Sequence, residues 1–402
     1  MSLVEQSELD TSWSLVTDLS SLESAAEEIA GGRGPVGIDA ERASGFRYGS
    51  EAYLVQVHRH GAGTFLFDPV SLDSFEPLAD ALRGEEWILH AASQDLACLE
   101  ELGLVPERLF DTELASRLLG FERVGLGAIV EQLLGIRLHK AHSAADWSTR
   151  PLPEAWLEYA ALDVALLPDL RELVAQELAA QGKTAYAEQE FAAVLQKPQK
   201  VPPSEPWRKL AGGTRLRTPR ELAIARELWI ARDELARAQD VAPGRLLPDA
   251  SLIIAAAANP RSAGHLASNK DFKGRASRTE LDRWWRAILR GKTTEDLPGP
   301  APRLRDSMPH HRNWPQRYPE AAARLTFARD AVTAEAIRLR MPVENLLTPE
   351  ILRRLAWEPP QEPTADAIAE RLQQLGARDW QCVLTAPIIT RAFVESRQFP
   401  LN

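Results

Sequence analysis

Residues 196–207 read Q-K-P-Q-K-V-P-P-S-E-P-W, and the four prolines in that stretch divide what can form on either side of it. Proline fixes its own φ, lacks an amide hydrogen and pushes the residue before it into extended backbone, so neither a helix nor a central strand passes through. The stretch reads as an extended, semi-rigid spacer. Before it, strand and helix signals alternate; after it, strand signals cease. The chain is therefore expected to build an α/β unit with a mixed sheet first and all-α units second. At 402 residues it has the length for two or three domains, each with its own core.

In the first half, residues 13–17 fit a short strand. Ser20 and Glu23 have the spacing of a capping box, opening a helix that Gly31 and Gly32 end near residue 30. Strands are expected at 36–40, 53–58 and 64–68, the last two joined as a hairpin through Gly61 and Gly63. A helix at 75–82, a strand at 87–91 and a helix at 94–102 follow. From there to residue 178 the pattern is helical, with segments at 111–119, 126–134 and 153–178.

Past the spacer, Thr218 and Glu221 form a capping box with Pro219 at the first helical position. Leu222, Ala225, Leu228, Trp229 and Leu235 then recur at helical spacing. A second breaker, L-P-G-P-A-P, occupies 297–302. Ala231-Arg232-Asp233 recurs as Ala328-Arg329-Asp330, and the P-G-R-L-L-P-D that starts at Pro243 is echoed by P-V-E-N-L-L-T-P from Pro342. An offset of about 100 residues points to two related helical units in tandem.

The net charge of −10 conceals an asymmetry. Residues 1–200 carry 15 basic against 33 acidic side chains, residues 201–300 carry 18 against 12, and residues 301–402 carry 14 against 12. An acidic part suited to holding metal precedes a basic part suited to meeting phosphates. No apolar run approaches the roughly 20 residues needed to span a bilayer. Residues 1–14 lack the basic and apolar regions of a secretory signal. Two cysteines, Cys98 and Cys382, make neither a disulfide framework nor a four-ligand zinc site. Cytoplasm is the expected compartment, with no membrane partner.

Residues 36–41 read V-G-I-D-A-E. On a strand, Asp39 and Glu41 leave the same face, where their charges repel and a divalent cation with oxygen ligands would compensate. Taken alone, Asp-x-Glu describes a solvated strand end equally well. Asp95 stands just past the strand at 87–91, where α/β sheets place their sites, although the helix dipole also favours an aspartate there. Tyr159 and Asp163 are four apart on a helix and share one face.

In this order, D-x-E, a later D and then Y-x-x-x-D resemble the DEDD exonuclease superfamily in its tyrosine-bearing branch, and within it the ribonuclease D family. Leu54-Val55-Gln56-Val57, Phe110-Asp111-Thr112, Leu118-Leu119-Gly120 and the stretch from Ala145-Asp146-Trp147 through Arg150-Pro151-Leu152 to Glu158-Tyr159-Ala160-Ala161 carry the likeness over about residues 15–180. Two departures stand out. Ala40 occupies the place of a threonine between the paired acids, and near His139-Lys140-Ala141 only Lys140 matches the family's Asp-Lys-Ser.

The resemblance implies a ribonuclease H-like α/β fold and 3′-to-5′ hydrolysis of RNA ends, such as those of tRNA precursors or other structured RNA. It also implies two divalent ions, Mg²⁺ or Mn²⁺, one generating hydroxide and the other stabilising the leaving oxygen. Asp39 would bridge both ions. Glu41 and Asp163 would hold the one that activates water, Asp95 would support the other through water, and Tyr159 would orient the attacking water. A DNA 3′ exonuclease and a catalytically silent nucleic-acid-binding module are the alternatives.

Residues 206–293 resemble the HRDC domain at Leu228, Trp229, Ala236, Asp240, Pro243, Leu246, Leu247, Asp249 and Leu252. The expected division is an exonuclease domain at 1–196, a linker at 197–207, an HRDC domain at 208–294 and a second, HRDC-like all-α domain at 303–398. Lys270, Lys273 and Arg275 cluster in a loop, and Arg283, Arg286 and Arg290 follow on a helix at i, i+3 and i+7. With Lys140, they are the candidates for phosphate contacts, which position a strand without reading its sequence. Leu281, Trp285, Ile288 and Leu289 read as that helix's core stripe. Trp284 and Phe272 either stack on a base or pack inside. Gly291-Lys292-Thr293 lacks the glycine that a P-loop needs five positions earlier, where Arg286 stands, so no ATP is expected. His90, His139 and His142 lie near the acids, as metal ligands or as hydrogen-bonded side chains. Asp111 and Asp146 read as caps or ion-pair partners, and Cys98 as core.

Overall fold

The computed structural model describes residues 4–5, 12–138, 142, 144–197, 203–210, 212–299 and 308–398. In chain order the first part comprises β1 (Val4–Glu5), β2 (Trp13–Val16), α1 (Leu19–Ala30), β3 (Arg33–Arg42), β4 (Ala52–His60), β5 (Gly63–Phe67), α2 (Glu76–Ala81), β6 (Glu86–Leu89), α3 (Leu96–Glu101), β7 (Arg108–Asp111), α4 (Thr112–Leu119), α5 (Leu126–Leu134), β8 (Ile136–Arg137), α6 (Glu154–Ala165), α7 (Leu167–Ala180) and α8 (Thr184–Leu195). Six strands form a mixed sheet in the order β2-β5-β4-β3-β6-β7, and β1 pairs with β8 apart from it. β3 lies inside the sheet, antiparallel to β4 and parallel to β6. The β4–β5 hairpin turns through Gly61 and Gly63, whose φ of 83° and 101° suit glycine.

Both faces of the sheet are covered. On one, Val55, Val57, Phe65 and Phe67 share a buried cluster with Leu22 and Ile29 of α1. On the other, Leu54 and Leu66 pack with Trp147 and with Leu157, Ala160 and Ala161 of α6. Strands buried on both sides read as near-continuous apolar runs, as β4 does.

Three local expectations are corrected. Residues 108–111 are a strand, paired in parallel with β6 at the sheet edge; R-L-F-D is too short to show an alternation. The α1 cap is Asp18, which accepts from Ser21 N at 3.0 Å, so the box is set two residues earlier than Ser20–Glu23. The helix expected at 153–178 breaks at Leu166 into α6 and α7, and Pro168 sits in the first turn of α7, where its missing N–H costs no bond.

The helical half opens with α9 (Pro219–Gln239), α10 (Pro243–Leu246), α11 (Asp249–Ala258), α12 (Ala263–Ser268) and α13 (Leu281–Thr293). Thr218 and Glu221 cap α9 reciprocally with Pro219 at its start. The core of this unit is its own and includes Leu228, Leu252, Phe272, Trp284 and Ile288. α13 buries Trp284, Ala287, Ile288 and Gly291; of the expected stripe, Ile288 is buried and Leu281 and Trp285 pack half-buried against the core, while Leu289 is 40% exposed and does not belong to it. Trp284 donates its Nε1–H to Ala276 O at 2.8 Å and Phe272 is fully buried, so neither ring is free to stack on a base. A Cβ on Gly291 would lie 2.5 Å from Ile224 Cα; this glycine serves the close crossing of α13 over α9.

The last part holds α14 (Trp314–Arg317), α15 (Pro319–Arg338), α16 (Val343–Leu346), α17 (Pro349–Trp357), α18 (Ala365–Gln374) and α19 (Asp379–Gln398). α15, α16 and α17, of 20, 4 and 9 residues, repeat the plan of α9, α10 and α11, of 21, 4 and 10. Their apolar core is continuous with that of the α/β unit. Lys183 donates to Leu118 O and Leu339 O, both at 2.7 Å, and Tyr186 stacks on Trp380 at 4.6 Å. No helix among the described residues is long and apolar enough to cross a membrane.

Candidate active site

β3 delivers the first two acids, and Gly37 determines what can approach them. A Cβ at Gly37 would lie 2.9 Å from the Val164 carbonyl oxygen and 3.2 Å from Leu167 Cβ. The bare glycine lets the junction of α6 and α7 lie directly on the strand. Asp163, the neighbour of Val164, is thereby brought over Asp39 and Glu41. Carboxylate oxygens of Asp39, Glu41 and Asp163 all lie within 4.8 Å of one another, and all three residues are half-buried. Tyr159, one turn earlier on α6, donates its hydroxyl hydrogen to Asp163.

Asp95 arrives by another route. β6 ends and the chain turns sharply at Ala91, a non-glycine residue in the left-handed region at φ 64°. The Asp111 carboxylate holds that turn by accepting from Ala91 N at 3.1 Å and Ala92 N at 2.9 Å. It also caps α4 by accepting from Glu113 N and Leu114 N, both at 3.0 Å. Asp111 is thus fully engaged in structure, and the chain past the turn presents Asp95 at the start of α3. Asp95 is buried and pairs with Arg42, whose Nη2 stands 3.2 Å from Oδ1. It lies outside the group of three, though close enough for its charge and that of Asp39 to disfavour each other.

The electrostatics are those of an uncompensated negative site. Burial, opposed by the Ala40 N–H and Arg42, pushes Asp39 up to about 6. Burial and then the neighbouring charges of Asp39, Asp163 and Asp95 push Glu41 up to about 9. Burial and Asp39 raise Asp95 to about 8 and Asp163 to about 7, the Tyr159 hydrogen bond working against the latter shift. Tyr159 itself is raised above the ordinary phenol value by burial and by Asp163, so it stays protonated at neutral pH. An all-oxygen donor set with mutual repulsion suits a hard divalent cation, whose charge would reverse these shifts.

The walls come from elsewhere. Arg150 clamps Asp68 with Nε at 2.8 Å and Nη2 at 2.6 Å and donates to Tyr53 O, tying the segment before α6 to the β4 and β5 ends. The loop after β3 is held by the α9–α10 corner. Tyr48 OH bonds Asp233 at 3.0 Å, Arg47 pairs with Asp240 at 3.2 Å, and Arg245 lies over Phe46 at 3.8 Å. His142 meets the Tyr159 ring edge-on at 5.7 Å. His90 bonds Thr112 Oγ1 at 2.9 Å, and burial drives it down to about 4, so it stays neutral. No histidine joins a metal-holding group among the described residues. Cys98 is buried core.

Lys140 and His139 lie outside the described residues. Lys270, Lys273 and Arg275 are exposed, and Arg283, Arg286 and Arg290 line a narrow cleft with Ala231 and Glu234. Arg283 pairs with Glu280 and Arg290 with Glu227, both at 3.1 Å. No hydrogen bond or ion pair among the described residues joins these six to the carboxylates. Sequence reasoning passed over Arg42 and the Phe46–Tyr48 loop. A cation directly after the paired acids was the available signal for the first; the second is a long-range contact with no local mark.

A family model described as 3′-5′ exonuclease matches residues 14–179, the HRDC domain model matches 221–288, and a model for the 3′ to 5′ exonuclease C-terminal domain matches 307–393. The ribonuclease D of Bartonella henselae is 32% identical over 209 residues, covering 50% of this chain and 51% of that one, so the match spans about half of that relative. A crystal structure of a protein from Bifidobacterium adolescentis superposes with a TM-score of 0.86 at 38% identity, over 95% of this chain and 97% of that one. The ribonuclease D of Pseudomonas paraeruginosa is 31% identical over 313 residues, covering 76% of this chain and 79% of its own length. A relative matched at that identity over more than two thirds of both chains shows the family, and the chain belongs to the ribonuclease D family.

Proposed function

We propose that this chain is a metal-dependent 3′-to-5′ exoribonuclease that shortens the 3′ ends of tRNA precursors or other structured RNA. The observation that carries the reading is the meeting of the Asp39, Glu41 and Asp163 carboxylates within 4.8 Å. These three would hold one divalent cation, and Asp39, supported by Asp95 through water, would hold a second, Mg²⁺ or Mn²⁺ in each case. When bound, such ions lower the pKa of water and stabilise charge on the leaving oxygen. Tyr159, kept protonated and tied to Asp163, orients the attacking water by hydrogen bonding rather than taking its proton. The basic loop at Lys270, Lys273 and Arg275 and the α13 arginines Arg283, Arg286 and Arg290, with Lys140, hold the RNA backbone. Membership of the ribonuclease D family supports RNA as the substrate class and the 3′ end as the point of attack.

The test is a nuclease assay on 5′-labelled RNA and DNA with single-stranded 3′ tails. Stepwise shortening of RNA with Mg²⁺, its loss with EDTA, and its loss in Asp39→Ala and Asp163→Asn are expected. Shortening that persists in both variants would remove the site. Faster shortening of DNA would replace the substrate, and binding of RNA without shortening would leave a nucleic-acid-binding module.

A further inference from the structure

Arg42 is the side chain in the cleft that the proposed chemistry leaves without a task. On a regular ladder it would share the Ala40 face of β3, away from Asp39 and Glu41. The pairing with β4 slips there: Glu41 faces Leu54, but Arg42 faces Ala52, one residue further than alternation allows. Slips of this kind re-aim side chains next to active sites. Arg42 reaches Asp95 at 3.2 Å, and its side chain is 30% exposed against 8% for the aspartate. One side of the guanidinium therefore sits on a buried carboxylate while another faces open space.

That space is a cleft of about 330 Å³ lined by Glu41, Arg42, Ser44, Phe46 and Ala145 among others. Arg42 is the only cationic side chain lining it among the described residues. Guanidinium offers five N–H donors in a planar fork matched to carboxylate and phosphate oxygens. Asp95 is the single ion-pair partner of Arg42 among the described residues, so donors remain for a ligand. A polyanion entering beside three clustered carboxylates is repelled by them. Arg42, the one positive charge lining the cleft among the described residues, is already oriented by Asp95 and meets that polyanion without having to be ordered first.

Resting on the exonuclease reading of this cleft, we propose that Arg42, seated on Asp95, holds a backbone phosphate of the RNA beside Glu41.

The test uses the full chain and a fluorescent RNA trinucleotide, too short to depend on the helical units. Affinity is read by anisotropy in EDTA, so it does not depend on turnover. Arg42→Gln should weaken binding about tenfold or more, with Arg42→Lys in between, as expected for loss of a charge-assisted hydrogen bond. Replacing each phosphate in turn by an uncharged methylphosphonate should cost the wild type a similar factor at one position. At that position it should cost Arg42→Gln nothing further, the signature of two groups in contact. Strictly multiplicative losses at every position would overturn the proposal. So would unchanged trinucleotide affinity in Arg42→Gln, which would leave Arg42 as a counter-charge for Asp95 alone. Thermal unfolding verifies that the variants fold, and the methylphosphonate arm on the wild type needs no variant. Failure of wild-type shortening in Mg²⁺ would count against the nuclease reading and would leave the binding cycle interpretable.

Discussion

The Gly37 α-carbon and the Val164 carbonyl oxygen face each other so closely that a Cβ on Gly37 would lie 2.9 Å from that oxygen. The strand with Asp39 and the helix with Asp163 are in register because of this contact. Gly37→Ala should push the α6–α7 junction away from β3 and widen the carboxylate group. Overpacking of this kind costs about 1–3 kcal/mol. Mn²⁺ affinity, measured by calorimetry, should fall about 10- to 100-fold, as when a support behind metal ligands is removed. A variant that is less stable but binds Mn²⁺ like the wild type would show that the spacing is set elsewhere.

Tyr159 gives its proton to a hydrogen bond with Asp163 and is held above the ordinary phenol range. Tyr159→Phe should therefore lower kcat by about 10- to 100-fold through misplacement of water, with KM nearly constant. Because the phenol does not ionise near neutrality, the shape of the pH–rate profile should not change. Loss of an alkaline limb in the variant would instead make Tyr159 a proton acceptor.

What the sequence made legible was what is local. Asp39 and Glu41 share a face because a strand alternates, and Tyr159 and Asp163 share one because a helix repeats every 3.6 residues; both relations survive folding. The failures follow from the same cause. The β7 strand is four residues at a sheet edge, too few for a period to show. The inward face of α13 is chosen by Gly291 against Ile224 on α9, a contact between residues 67 apart, so the Trp284–Trp285 pair could not be phased from its own helix. Arg42 escaped notice because a break in the ladder, rather than the alternation, directs it to Asp95. The docking of the last helices on α8 leaves no mark in either segment.

Cation binding and pH should be linked in a definite direction. Without a cation, Asp39 titrates at about 6, Asp163 at about 7, Asp95 at about 8 and Glu41 at about 9, all above the roughly 4 of an unfolded carboxyl. A group raised in the folded state binds its proton more tightly there. Its contribution to stability is fully present below about pH 4 and is lost as pH rises through the folded value. In EDTA, the site should therefore weaken the fold progressively from about pH 4 to about pH 9. A divalent cation at a hundred times its Kd should restore about 2.7 kcal/mol at pH 8 and little at pH 5, where protons compete for the oxygens. Thermal unfolding at both pH values, with EDTA and with Mg²⁺, reads this directly. Asp39→Asn should flatten both dependences; equal Mg²⁺ stabilisation at pH 5 and pH 8 would place the cation elsewhere.

Glu190 of α8 is buried and accepts from three donors on the last unit: Arg378 Nε at 2.7 Å, Arg378 Nη2, and Trp380 Nε1 at 3.0 Å. Removing Glu190 leaves the Trp380 N–H without its acceptor and Arg378, 29% exposed, without its counter-charge, at a cost of about 1–3 kcal/mol. Glu190→Ala should thus destabilise far more than Glu190→Gln, which still offers an acceptor to Trp380. The apolar core runs without a break from the α/β unit into α15 and α19, so the loss should appear in one shared unfolding transition. The middle helical unit has a core of its own and should unfold separately. Residues 1–196 expressed alone would uncover the Tyr186 ring that stacks on Trp380 and leave Glu190 without its donors, and should give no cooperative transition, whereas residues 208–294 alone should give one. A sharp two-state melt from the 1–196 fragment, at the temperature of the whole chain, would mean that the last helices lean on the α/β unit without stabilising it.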